Sequence, residues 1–440
     1  MKLRRNVLQP LRLELDLSPI AHESSQPPEH PLAHARIQRS LHDAFASSAL
    51  APHLRFDGRP AALLQEYSNH RQDSIAGQLF RTANRIHATV DSVVVLSLGT
   101  SALGAEAIAQ ACCQPYWNHL SRADRGSKPR MFFLDDRSDT DTVQGILHLL
   151  GSHRPTTSNF DSAPWALVLL AADDPHADLN KVQEAWQLEV LLSELEKHVG
   201  NRAGELNQRV IAVLPNEGSL AKRLRSYGEC DLFASLDEPA ATQCFGPLGL
   251  LTATLLGINI MELLAGAAWM SKHFHQAPAD ENLVVRFMEW LTRDLGPLGQ
   301  QHRIHVYNPG LAGWSRWYRD LSRGLNIPEP VAPNAFSDYP GAAGDGETGH
   351  GEIHVVVERP RFDPIDLGNS EDSQQRLRHG IETRMRANRD RGRPVAEVRL
   401  GELDELHTGQ WLQFLLLVTA SSRILGVHPP ATATWQPTGE

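Results

Sequence analysis

Val93-Val94-Val95-Leu96-Ser97-Leu98-Gly99-Thr100-Ser101-Ala102-Leu103-Gly104 decides the fold of this chain. The apolar run from Val93 to Leu98 reads as a buried strand. Gly99-Thr100-Ser101 makes a tight turn, and a helix starts near Ala102. A strand that runs through a glycine turn into a helix N-terminus presents unpaired backbone N–H groups at the positive end of the helix dipole, an arrangement suited to a phosphate. Such turns also serve simply to join a strand to a helix, so what lies around this one matters.

Three more apolar strands follow, Met131–Leu134, Ala166–Ala171 and Val210–Leu214, each separated from the next by helical sequence. An amphipathic helix is expected over Leu179–Val199, with Val182, Trp186, Val190, Leu191 and Leu195 on one face. Alternating strands and helices of this kind specify a parallel sheet covered on both faces. The pattern recurs later. Strands are predicted at Arg303–Tyr307, Ile353–Val357 and Val395–Leu400, and helices at Leu311–Arg323, Ser373–Arg389 and His407–Leu425. Between the halves, Leu248–Met270 is a nearly uncharged helical run that reads as packed from all sides. Residues 1–30 read as an extended arm, and helical spacing follows up to about Ala88. The expected organisation is an arm and helical layer over 1–88, an α/β domain over 89–247, connecting helices over 248–282 and a second α/β domain over 283–440.

Composition excludes several classes of function. The chain has 440 residues, 41% hydrophobic and 21% charged, with a formal net charge of −10, as expected of an ordinary globular protein rather than one built around a nucleic-acid surface. Its four cysteines, Cys112, Cys113, Cys230 and Cys244, make no disulfide framework, and no Cys/His set has zinc spacing. The basic start Met1-Lys2-Leu3-Arg4-Arg5 is followed by Pro10, Arg12, Glu14 and Asp16, which break the apolar core that a signal peptide needs. No apolar run is long enough to span a membrane. A cytoplasmic location is the expectation, with no nucleic-acid or membrane partner.

The order of four stretches resembles the phosphoglucose isomerase (glucose-6-phosphate isomerase) family, which carries two sugar-isomerase domains. Leu98-Gly99-Thr100-Ser101-Ala102-Leu103-Gly104 is similar to the family's Ile-Gly-Gly-Ser-x-Leu-Gly. Gly249-Leu250-Leu251, Gly257-Ile258-Asn259-Ile260 and Leu264-Ala265-Gly266-Ala267 resemble its Gly-Leu-Leu, Gly-Ile-Asp-Ile and Leu-x-Gly-Ala. Tyr307 with Trp317-Tyr318-Arg319-Asp320-Leu321 looks like its Tyr and Trp-x-x-Gln-Leu helix. The segment from Gly392-Arg393-Pro394 through Leu425-Gly426-Val427 to Gln436-Pro437 looks like its terminal helix and closing Gln-Pro. The resemblance implies two three-layer αβα domains with parallel sheets, a homodimer, a sugar-phosphate ligand, and no metal or cofactor. The family's reaction uses a His for ring opening with a Lys beside the ring oxygen, a Glu to move the proton, and an Arg to stabilise developing charge.

Carried over position by position, the resemblance implies that Gly99, Thr100 and Ser101 are the first phosphate loop, with Thr in place of a Gly. The second loop falls on Ala171-Ala172-Asp173-Asp174-Pro175-His176, without hydroxyls or Lys. A carboxylate facing a phosphate at about 4 Å costs about 4 kcal/mol at an effective dielectric near 20. Asp173-Asp174-Pro175 also reads as a polar turn capping the next helix. The Arg position, counted back from Gly249, falls on Ala241. The base should follow Leu321 by three residues, where the chain reads Ser322-Arg323-Gly324. Glu329, between Pro328 and Pro330, is the next carboxylate and reaches the site only through a rebuilt loop. His350, in Gly349-His350-Gly351, fits the place of the family's His and reads equally well as a surface residue; His354, on the strand itself, reads as structural. The family's Lys lies past Gln436-Pro437, where this chain has only Thr438-Gly439-Glu440. The expectation is an isomerase-type fold whose catalysis is degenerate. The alternatives are an isomerase with relocated residues and a non-catalytic interaction or regulatory protein.

Overall fold

The structure is a computed structural model. It describes residues 12–15, 30–152, 165–172, 186–199, 204–226, 228, 230–294, 302–325, 351–367 and 372–426. Glu329, His350, Asp173, Asp174 and Gln436-Pro437 lie outside them. In chain order the elements begin with β1 (Arg12–Leu15), α1 (His30–Ala46), α2 (Arg59–His70), α3 (Ile75–Thr89), β2 (Ser92–Ser97), α4 (Leu103–Cys112), β3 (Arg130–Asp135), α5 (Thr140–Ser152) and β4 (Trp165–Leu170). Then come α6 (Trp186–Val199), α7 (Glu205–Arg209), β5 (Val210–Leu214), α8 (Ser219–Ser226), β6 (Asp231–Ala234), α9 (Pro247–Leu255), α10 (Ile260–Gln276) and α11 (Leu283–Asp294). The last are β7 (His302–Val306), α12 (Ala312–Gly324), β8 (Gly351–Arg359), α13 (Ser373–Asp390), β9 (Val395–Glu402) and α14 (Glu405–Ile424).

The chain forms two compact units. Arg59–Leu264 makes one; Met1–Gly58 joins Ala265–Glu440 to make the other. The continuous unit holds a five-stranded sheet, order β3-β2-β4-β5-β6, in which every pair is parallel. Its three inner strands read as unbroken apolar runs because both faces are covered. Val94, Leu96, Leu167, Leu169, Ala212 and Leu214 pack with Leu188, Leu191, Leu192 and Leu195 of α6, Val143 and Leu150 of α5, and Leu220 and Leu224 of α8. The opposite-facing Val93, Val95, Val168 and Ile211 are equally buried. β6 has no counterpart in the sequence reading. Its Asp231-Leu232-Phe233-Ala234 is short, lies at the sheet edge, and only Phe233 is buried.

The run over Leu248–Met270 forms two helices, α9 and α10. Gly257 takes a left-handed φ of 77°. Its N–H donates to Thr254 O while the Ile258 N–H donates to Ala253 O, which closes α9 with a Schellman motif. Asn259 then opens α10 by accepting from the Met261 and Glu262 N–H groups. Apolar periodicity hides this break, because the stop is conformational. α9 packs on α3 and α4.

The discontinuous unit holds a four-stranded sheet, order β1-β9-β8-β7. β7, β8 and β9 are mutually parallel, and β1 adds antiparallel to β9. The expected extended arm therefore contains an edge strand. Ile353, Val355, Ala396, Val398 and Leu400 are buried on one face of this sheet. α14 packs on β9, and α11 and α12 pack on α14. The other face is partly polar, with Glu352 and His354 on β8 and His305 on β7. Val356 and Val395 of that face pack with Ile381 and Met385 of α13. α13 begins in a capping box between Asp372 and Gln375.

Candidate functional site

In the continuous unit the connection from β2 to β3 runs one way along the sheet and that from β3 to β4 runs the other. The order is the doubly wound type, and its switch point falls between β2 and β4. Open α/β sheets bind ligands at the carboxyl ends of the strands at such a point. The Gly99-Thr100-Ser101 turn stands there, at the end of β2 and before α4. Gly99 carries a φ of 62°, which a residue with a side chain rarely adopts.

The turn is tied to both neighbouring strands. Ser101, 3% exposed, donates through its hydroxyl to Leu98 O at 2.8 Å and accepts from the Ala172 N–H, just past β4, at 3.0 Å. Ser97 Oγ accepts from the Ala102 N–H at 2.9 Å. On the other side, the Gly99 N–H donates to the Asp136 carboxylate at 3.0 Å. Asp136 is itself held: its N–H donates to Ser97 O, and its carbonyl accepts from the buried Gln187 amide of α6. A carboxylate of this chain thus occupies one backbone donor of the turn. The Ser101 hydroxyl acts as a staple between β2 and β4.

Two family positions are placed within their own units. Ala241, at the Arg position, sits in a single 3-10 turn, Ala240–Gln243, and is 2% exposed. After Leu321, α12 ends with Ser322, Arg323 and Gly324, and Leu325 closes it by donating its N–H to Leu321 O. None of these four residues carries a carboxylate. Glu329 and His350, the two candidates for acid–base work, lie outside the described residues. His350 directly precedes β8.

A second cluster, in the discontinuous unit, was not evident from the sequence. His305 and His354 are register partners on β7 and β8, and Glu352 lies two residues before His354 on the same face. All three are buried. Glu352 Oε2 is 3.2 Å from His354 Nε2 and 3.4 Å from His305 Nε2. Asn388 of α13 donates to the same oxygen, and Arg393 Nη1 lies 3.5 Å from Oε1. Tyr307 Oη is 2.7 Å from His354 Nδ1. Burial alone would raise the Glu352 carboxyl, but its contacts with His305 and His354 outweigh that and hold it well below the usual carboxylate range. Burial pushes the His354 imidazole down to about 4, against the pull of Glu352. The available signal was the alternation of His305 with Tyr307 and of Glu352 with His354 inside apolar strands. The pairing that joins them is invisible in one dimension.

No protein-family model matches the chain. Among solved structures, a hypothetical protein from Thermus thermophilus superposes with a TM-score of 0.71 at 19% identity, covering 95% of each chain. A glucose-6-phosphate isomerase from Chlamydia trachomatis superposes at 0.64 with 16% identity, covering 91% of this chain and 80% of that one. These likenesses define the class of protein: an α/β chain with the fold of the sugar isomerases. In sequence, it is 23% identical over 365 residues to the glucose-6-phosphate isomerase of Rubrobacter xylanophilus, covering 76% of this chain and 78% of the relative. It is 25% identical over 380 residues to that of Symbiobacterium thermophilum, covering 79% and 78%. The match to the Carboxydothermus hydrogenoformans enzyme, 28% identical, spans 47% of this chain and only 40% of the relative's length. The chain is similar to glucose-6-phosphate isomerases at low identity, as a divergent member of that family would be. Among the described residues, no helix is long and apolar enough to cross a membrane.

Proposed function

We propose that this chain is a catalytically degenerate relative of glucose-6-phosphate isomerase that binds a sugar phosphate or a related small anion without isomerising it. The observation that carries the reading is the Gly99-Thr100-Ser101 turn at the switch point of a doubly wound sheet, with α4 directing its N-terminus to the same place. The loss of catalysis is supported by Ala241 where a guanidinium is expected and by Ser322-Arg323-Gly324 where a base is expected. A general base is worth about 10²–10⁴ in rate, and an electrostatic partner about as much again. The Asp136 carboxylate on the Gly99 N–H lowers the affinity for a dianion, so binding is weak.

A coupled assay of fructose 6-phosphate conversion to glucose 6-phosphate, with His350→Ala in parallel, tests the catalytic half. Turnover at background is expected. Turnover at ordinary enzyme rates that His350→Ala abolishes would overturn it. A thermal-shift series with glucose 6-phosphate, fructose 6-phosphate, inorganic phosphate and unphosphorylated glucose tests the binding half. A shift confined to the phosphorylated compounds is expected, and no shift with any of them refutes binding.

A further inference from the structure

We propose that His305, Glu352 and His354 form a closed structural site for a divalent metal of the zinc class. The inference is independent of the reading of the Gly99 turn, because the three residues belong to the other unit. Their ligand atoms all lie within 4.8 Å of one another. With metal–nitrogen and metal–oxygen bonds of about 2.0–2.1 Å, tetrahedral geometry sets neighbouring ligand atoms about 3.3 Å apart. The two contacts to Glu352 Oε2 are 3.2 and 3.4 Å.

Hydrogen bonding alone accounts poorly for the cluster. His305 Nε2 is buried, and its 3.4 Å approach to Glu352 Oε2 does not make a well-formed hydrogen bond. Glu352 Oε2 faces three nitrogens, those of His305, His354 and Asn388, whereas a carboxylate oxygen offers about two lone-pair sites. A cation among the three ligands gives both imidazole lone pairs and the carboxylate a common partner.

The surroundings match the outer shell that metal-bound histidine requires. With the metal on His354 Nε2, the proton sits on Nδ1 and donates to Tyr307 Oη, 2.7 Å away. Arg393 holds Oε1, which leaves Oε2 to bind the metal through one oxygen. The Asn388 amide, which donates to Oε2, holds that oxygen from another side. Arg384 on α13 also bears on His354. The apolar contacts of Ile381 and Met385 with Val356 and Val395 shield this face from water, which favours a structural role over a catalytic one.

The test uses the full chain, free of any histidine tag, stripped with a chelator and dialysed against Zn2+ with Mg2+ in excess. Elemental analysis is expected to find one zinc per chain. That zinc is lost in His305→Ala and in Glu352→Gln, while Tyr307→Phe weakens binding by about 10–100-fold without abolishing it. If a variant fails to fold, Co2+ loaded on the wild-type chain still decides. The visible bands of a four-coordinate N/O site are expected, without the intense near-ultraviolet band of a cysteine thiolate bound to cobalt. The proposal is overturned if the wild-type chain retains no zinc, if His305→Ala retains as much as wild type, or if the cobalt spectrum reports sulfur ligation.

Discussion

Replacing Ser101 with alanine separates a staple from a ligand contact. Ser101 is 3% exposed, and both hydrogen bonds of its hydroxyl are internal, to Leu98 O and from the Ala172 N–H. Ser101→Ala leaves the Ala172 N–H without an acceptor on a residue that is 5% exposed. An orphaned buried donor costs about 1–3 kcal/mol. Leu98, only partly buried, recovers part of its loss from water, so the total comes to about 2 kcal/mol. With a urea dependence of about 3 kcal/mol per molar, the unfolding midpoint falls by about 0.7 M. Urea titration followed by far-ultraviolet circular dichroism measures this shift. A midpoint within about 0.2 M of wild type, together with a large loss of phosphate affinity, would refute the reasoning, because the hydroxyl would then serve the ligand and not the sheet.

Other consequences follow from the same geometry. Asp136→Asn removes the charge that holds the Gly99 N–H, and after solvent screening of this exposed side chain it is expected to tighten inorganic phosphate binding by about 1 kcal/mol, roughly fivefold, by calorimetric titration. Unchanged affinity would place the anion elsewhere. Gly257→Ala forces a left-handed residue, and its Cβ would lie 2.8 Å from the Lys128 Cε; a loss of about 1–2 kcal/mol in urea unfolding is expected. Gly266→Ala is more severe, because its Cβ would meet the Leu406 backbone oxygen at 2.0 Å, and a displaced α14 should appear as lost amide protection along that helix. Asp404 caps α14 and accepts from the His407 N–H and ring. Burial alone would raise its carboxyl, yet the His407 bonds hold it below the ordinary 3.8. A depressed folded pKa contributes stability above the unfolded value and loses it as pH falls through the folded one. Asp404→Asn should therefore lose most at neutral pH and converge on wild type below about pH 4.

The inner strands of the five-stranded sheet were legible because burial on two faces leaves continuous apolar runs. Val93–Leu96, Leu167–Leu170 and Val210–Leu214 could hardly be read otherwise. What escaped were features set by conformation or by pairing. β6 is too short and too exposed to stand out, and the turn at Gly257 is hidden inside an apolar run. The Gly99 turn was visible as a pattern, but the role of the Ser101 hydroxyl was not, since its partner Ala172 comes from another strand. His354 stands as the one histidine of its own strand, and only β7 pairing beside β8 brings His305 to it. The place of Asp136 beside the Gly99 turn was invisible, because nothing in the sequence says which loop ends beside which.

β1 and α1 have a consequence for how the protein is made. They are made well before the strand that β1 joins, β9, and the helices against which α1 lies, α11 and α14. At about 5–20 residues per second, translation keeps them waiting roughly 20–80 s. Arg59–Leu264 is continuous and has all its strands in hand long before that. The nascent protein is then a finished inner unit trailing an unpaired β-segment and an apolar helix face. A message cut short before β9 would release that segment with no edge to close on.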